Sequence, residues 1–120
     1  MQIDLELDEM IVRLSPLEKL AAFKIGGIRV PKSSIEGVER SLPPPTWKEL
    51  RIPGTFIPGL IKAGSYLTDR GWEFWYVTRA GKSHPMTISL KDQRYAKLVF
   101  GFQSGSEADR IEEWLRGDRS

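Results

Sequence analysis

The sequence predicts a mainly-β domain with one helix: an antiparallel barrel or a strongly curved sheet, closed on one side by a C-terminal amphipathic helix. Three observations predict it. Apolar residues recur at every second position, as in Ile3-Leu5-Leu7, Trp72-Phe74-Tyr76, Met86-Ile88-Leu90 and Leu98-Phe100-Phe102. Short turn-forming segments separate the runs of the second half. From Ser106 onward the period changes, and Ala108, Ile111, Trp114 and Leu115 fall on one helical stripe.

The first run alternates with Gln2, Asp4, Glu6 and Asp8, the pattern of a half-buried strand with one charged face. After Glu9 the apolar phase moves to Met10, Val12 and Leu14, which predicts a bend, a bulge or a second short strand. Ser15-Pro16-Leu17-Glu18 reads as a helix start, with Ser as N-cap, Pro in the first helical position and Glu completing a capping box; Gly26-Gly27 ends that short helix. Ile28-Arg29-Val30-Pro31 reads as a strand at an edge or strand end, since Pro31 offers no ladder donor, and Ile35 to Val38 as a half-turn or a further strand. From about 41 to 59 the composition shifts to Pro and Gly. Pro43-Pro44-Pro45 favours polyproline II, and Ile52-Pro53-Gly54 and Ile57-Pro58-Gly59 each fit a type II turn. The apolar content there (Leu42, Trp47, Leu50, Phe56) predicts a long ordered loop packed on the body.

The second half predicts strands at about 60–68, 72–79, 85–91 and 95–103. They are joined at Thr68-Asp69-Arg70-Gly71, Ala80-Gly81-Lys82-Ser83 and Lys91-Asp92-Gln93-Arg94 into an antiparallel meander. In the helix, Ser106 is the expected cap, Glu107 and Asp109 face the positive end of the dipole, Arg116 the negative end, and Gly117 terminates.

With 120 residues, the chain has the length of a single domain spanning 1–120, able to build its own core. It has no Cys and one His. Disulfide scaffolds, Cys-ligated metal sites and thiol nucleophiles are therefore excluded, and metal sites rich in His are disfavoured. The net charge is +2. It divides into an acidic start (Asp4, Glu6, Asp8, Glu9), a basic centre (Lys62, Arg70, Arg79, Lys82, Lys91, Arg94, Lys97) and an acidic final helix (Glu107, Asp109, Glu112, Glu113). So small a basic excess makes nucleic acid an unexpected partner. No apolar run approaches the ~20 residues of a transmembrane helix, and the N-terminus shows no signal peptide. The expectation is a cytoplasmic protein.

The layout of N-terminal strands, four-strand meander and closing helix resembles the pleckstrin-homology-like (PH-like) barrel. The segment Ile28-Arg29-Val30-Pro31-Lys32-Ser33-Ser34-Ile35-Glu36-Gly37-Val38-Glu39 resembles the bacterial members, in which a strand leads into a P-x-x-x-I-x-x-V step. Leu50-Arg51-Ile52-Pro53-Gly54 through Pro58-Gly59, with Gly64, looks like small bacterial proteins of the same type. Phosphoinositide-binding members of the wider fold hold the lipid with a basic pair in the first hairpin. Here the first strands are acidic, so lipid binding is not carried over.

No catalytic constellation, metal site or cofactor motif is present. Gly54 and Gly59 have phosphate-loop spacing without the Lys-Ser/Thr that would complete it. His84, before Pro85, reads as a solvent-facing turn residue. The aromatics are more informative. Trp72, Phe74, Trp75 and Tyr76 load both faces of one strand, so the face carrying Trp75 and Val77 needs a cover. Either the Pro/Gly loop lies over it or it is an exposed patch for a partner. The expected role is a non-catalytic interaction or scaffold domain. Its contact residues would be Phe56, Lys62, Trp75, Val77 and Arg79, or an exposed strand edge that accepts a peptide or a second copy. The alternatives are a small-molecule or lipid-binding barrel with a pocket drawing on Tyr66, Arg79 or His84, and peripheral contact with an anionic membrane.

Overall fold

The computed structural model describes residues 1–15, 27–43, 50–51, 55–57, 61–79 and 83–117. The expected helix after Ser15, the polyproline run beyond Pro43, both Pro-Gly turns, Trp47 and Lys82 lie outside the described residues. In chain order the strands are β1 (Gln2–Leu5), β2 (Glu9–Arg13), β3 (Ile28–Pro31), β4 (Ile35–Glu39), β5 (Leu50–Arg51), β6 (Thr55–Ile57), β7 (Ile61–Thr68), β8 (Gly71–Thr78), β9 (Pro85–Leu90) and β10 (Lys97–Gly101). A single 3-10 turn, Lys32–Ser34, separates β3 from β4, and helix α1 (Gly105–Arg116) follows β10. No helix among the described residues is long and apolar enough to cross a membrane.

The chain is mainly β with one C-terminal helix, arranged as two sheets. A three-stranded antiparallel sheet runs β1-β2-β3. The phase shift after Glu9 is the turn between β1 and β2, where the Glu6 amide donates to the Glu9 carbonyl at 2.9 Å. A larger sheet runs β4-β9-β10-β8-β7-β5, with β6 also on β7. Its ladder ends at β4 on one side and at β5 and β6 on the other, so the described strands close no barrel. The segment expected as an irregular loop thus contributes two short strands, both antiparallel to β7.

The meander expectation is corrected at one point. β7–β8 and β9–β10 are antiparallel neighbours as expected, but β8 does not pair with β9. β10 lies between them, parallel to β8, with Leu98 opposite Phe74 and Phe100 opposite Tyr76. The burial of β10 fits a place inside the sheet. Leu98, Val99 and Phe100 are all 0% exposed. Three successive buried side chains cannot occur on a strand with one wet face, because neighbours point to opposite sides. The Ala96 amide opens the parallel pairing by donating to the Trp72 carbonyl at 2.7 Å. β9 is buried in the same way at Met86, Thr87 and Ile88, and it too lies between two strands, β4 and β10.

The β7–β8 turn is where sequence and backbone agree most closely. Gly71 has φ +109, a conformation that favours glycine, and a side chain there would also press on the Ala96 methyl.

One face of the large sheet carries the main core. Phe74, Met86, Ile88, Leu98 and Phe100 meet Ile3, Met10, Val12, Ile28 and Val30 from the small sheet and Ala108 and Ile111 from α1. Burying Ile111 alone contributes roughly 1.5–3 kcal/mol. The helix begins at Gly105, so Ser104 rather than Ser106 holds the N-cap position, with Glu107 in the first turn and Arg116 in the last. Polar contacts then fix its orientation. Trp114 Nε1 donates to the Glu6 carbonyl at 2.6 Å and Arg110 to the Ile3 carbonyl at 3.4 Å. Lys32 Nζ donates to the Trp114 carbonyl at 2.7 Å. Arg40, just beyond β4, bonds Asp109 and Glu112, which hold its guanidinium still more firmly charged.

Two expected outcomes follow. Val99→Lys places a charge inside a sheet buried on both sides and should cost about 3 kcal/mol or more in urea unfolding; near-wild-type stability would fit an edge position for β10 instead. On the small sheet, hydrogen bonds from Arg13 and then Gln2 hold the Asp4 carboxyl below its ordinary value. The stabilising contribution of a group lowered in this way is present above its unfolded pKa and lost as pH falls through the folded one. An NMR titration should therefore place Asp4 below the ordinary carboxylate range, and Arg13→Gln should move it back up.

Candidate functional site

The face of the large sheet opposite α1 carries most of the residues singled out in the sequence. Alternation on β8 sends Glu73, Trp75 and Val77 to this side. The register of β7 brings Lys62 opposite Val77, Gly64 opposite Trp75 and Tyr66 opposite Glu73. On the other side of β8, Val99 lies opposite Trp75. Tyr66, Trp75, Val77 and Val99 form a second apolar cluster, separate from the main core.

This cluster is not an open patch. Trp75 is 8% and Val77 6% exposed. Lys62 lies over Trp75, its Nζ 3.9 Å from the indole centroid and 4.5 Å from the centre of the Tyr66 ring. β6 brings Phe56 into register with Lys62 through its backbone. Arg79 follows the end of β8 and is exposed. The structure therefore gathers Lys62, Trp75 and Val77, with Phe56 beside them in register, and leaves Arg79 outside the cluster.

At the turn end of the same face sits a residue the sequence reading passed over. Glu73 is fully buried. Arg70 Nε donates to its carboxylate at 2.7 Å, Trp75 Nε1 at 3.0 Å and Thr68 Oγ1 at 3.4 Å. Thr68 Oγ1 in turn accepts from the Arg70 amide at 3.0 Å. The carboxylate thus joins the turn to the indole two residues along the strand. A signal existed for it: an acid flanked by aromatics on a strand whose two faces are both apolar has no wet side to occupy.

The pocket residues do not converge. Tyr66 belongs to the cluster above, while His84 is half-buried beside Gly105 at the start of α1 rather than facing solvent in a turn. Two clefts lie along the small sheet, and neither is lined by Tyr66, Arg79 or His84. The larger, about 360 Å³, lies on the outer face of the small sheet over Ile11 and Leu14, between Arg13 and Arg29. Both arginines are ion-paired on that face, Arg13 with Asp4 and Arg29 with Glu9, so the cleft carries little net charge toward a ligand. Among the described residues no group of three His, Asp or Glu side chains is placed to hold a metal ion.

A different feature is open. Among the described residues β4 pairs with β9 alone, and its register shifts between Ile35 and Gly37. Ile35 and Val38 pack toward the main core. Glu36, Gly37 and Glu39 are exposed, and nothing lies within 4 Å of where a Gly37 side chain would begin.

The Glu73 network has a measurable expectation. Glu73→Ala leaves Arg70 and the Trp75 indole N–H without their acceptor and should cost about 3 kcal/mol in chemical denaturation. Glu73→Gln keeps an acceptor for the indole and should lose about half as much. Comparison of the chain with protein-family models, curated proteins and solved structures returns no match in any of the three.

Proposed function

We propose that the chain is a non-catalytic interaction domain that takes an extended basic peptide onto the free edge of β4. The observation that carries this reading is the contrast between β4 and the other edges. β1 has carbonyl groups at and beside it occupied by α1, through Arg110 on Ile3 and Trp114 on Glu6. β3 ends in Pro31, which has no ladder donor. β5 and β6 are two and three residues long. β4 offers five residues, paired among the described strands with β9 alone. An exposed edge of this kind binds an extended segment through backbone hydrogen bonds, with side chains setting preference.

Charge selects the partner. Glu36 and Glu39 give this edge a negative character, which a Lys- or Arg-bearing segment complements. A second copy of the chain would bring acids toward acids, so a basic peptide is favoured over self-association. The reading includes kinship with PH-like domains and a cytoplasmic setting. The helix packed on a sheet supports that kinship; the parallel β8–β10 pair is its main departure.

The test is a selection from a displayed random-peptide library, followed by amide hydrogen exchange on the complex. The expected peptides alternate basic and apolar residues and slow exchange at residues 35–39. Glu36→Lys with Glu39→Lys should weaken their binding at least tenfold. Protection that maps elsewhere, or a selection that enriches nothing, would contradict the proposal.

A further inference from the structure

The smaller of the two clefts, about 140 Å³, lies where β3 meets the connection from β9 to β10. Ile28 and Val30 of β3, Leu90 at the end of β9 and Tyr95 of the connection line it, and all four are buried members of the main core. The cleft is therefore a gap in the margin of the core, with an apolar floor. Arg94, exposed beside Tyr95, also lines it, with its guanidinium 5.7 Å from the centre of the Tyr95 ring. Arg29 is committed to Glu9 at 2.9 Å, whereas among the described residues Arg94 has no carboxylate against its charge. The walls are fixed. The Lys91 amide donates to the Ser34 carbonyl at 2.9 Å and Gln93 Nε2 to Ser34 Oγ at 3.0 Å, which ties the connection to the 3-10 turn after β3. The Tyr95 hydroxyl shares a hydrogen bond with Ser65 Oγ at 2.7 Å, and Phe74 meets the Tyr95 ring edge-on at 5.7 Å. A site held in this way loses little freedom when it is filled.

We propose that this cleft binds a small carboxylate with a compact apolar body, the carboxylate on Arg94 and the body on the floor. Size sets the body. An apolar cavity of about 150 Å³ takes a benzene ring, and this cleft is close to that volume. A single ring fits it, and a lipid tail or a nucleotide does not. Charge sets the head group: a guanidinium offers a carboxylate two parallel N–H donors. Each half alone is weak. An exposed arginine holds a plain anion poorly, because water competes for both charges, and a shallow floor buries too little of a neutral ring. A ligand that carries both parts gains from both. The reading does not rest on the peptide edge, since the lining residues come from β3, the end of β9 and the connection after it.

The probe is sodium benzoate, titrated into the full chain against sodium chloride at constant ionic strength and neutral pH, with the backbone amide resonances as readout. The expected result is a saturable shift at residues 28–30 and 90–95. Benzamide, which keeps the ring without the charge, and acetate, which keeps the charge without the ring, should each bind at least tenfold more weakly. Arg94→Gln should weaken benzoate at least tenfold and leave benzamide as it was. If that variant does not fold, the comparison of the three probes on the intact chain decides the matter. Benzamide or acetate binding as tightly as benzoate would overturn the proposal, as would undiminished benzoate binding by folded Arg94→Gln. So would shifts centred on Ile11 and Arg13 or on residues 36–39, or the lack of any saturable shift.

Discussion

A strand whose side chains are buried on both faces needs a neighbour on each edge, and β10, with Leu98, Val99 and Phe100 all fully buried, is the strand that sits between β8 and β9. Leu98 and Phe100 point into the main core while Val99 between them joins the Trp75 cluster. Once β10 is central, β8 and β9 are held apart and the sheet acquires two apolar faces, each needing its own cover. The small sheet and α1 cover one. The contacts that orient the helix are mostly side chain to backbone: Trp114 to Glu6, Arg110 to Ile3, and Lys32 to Trp114. On the other face Lys62 lies across the aromatics, and the Glu73 carboxylate anchors the hairpin turn to the indole.

This division separates two kinds of surface that the sequence presents alike. Trp75 and Val77 have the composition of a docking patch, yet burial and the Lys62 ammonium withdraw them from direct contact with a large partner. The β4 edge contains Glu, Gly and Val and advertises nothing by composition, yet it is the margin of the large sheet among the described strands. Recognition through backbone hydrogen bonds needs few distinctive side chains.

Much of the fold was legible because strand alternation and turn chemistry are local. Period two located β7, β8, β9 and β10 to within a few residues, and the Thr68–Gly71 turn and the Ala108–Ile111 stripe fell where the pattern put them. Pairing was harder, because strand order depends on which strands bury both faces. Leu98-Val99-Phe100 carries that information as an unbroken apolar triple, but read as one face of an alternating strand it suggests a meander. The site divided in the same way. Lys62, Trp75 and Val77 share a face because register places them there, whereas Glu73 became visible only with the partners that bury it. Phe56 was legible as a neighbour of Lys62 only through the β6–β7 register, and Arg79 falls one residue past the strand that would have aimed it. β4 was legible only as a half-turn or a strand, and its place at the margin of the described sheet was not legible.

The most direct test of this account is the pattern of backbone NOEs, with amide exchange, across β8, β9 and β10. The account predicts contacts of parallel type between residues 97–100 and 73–76, contacts of antiparallel type between 97–101 and 85–89, none between β8 and β9, and the slowest amide exchange in β10. Antiparallel contacts directly between β8 and β9, with rapid exchange along one edge of β10, would contradict it.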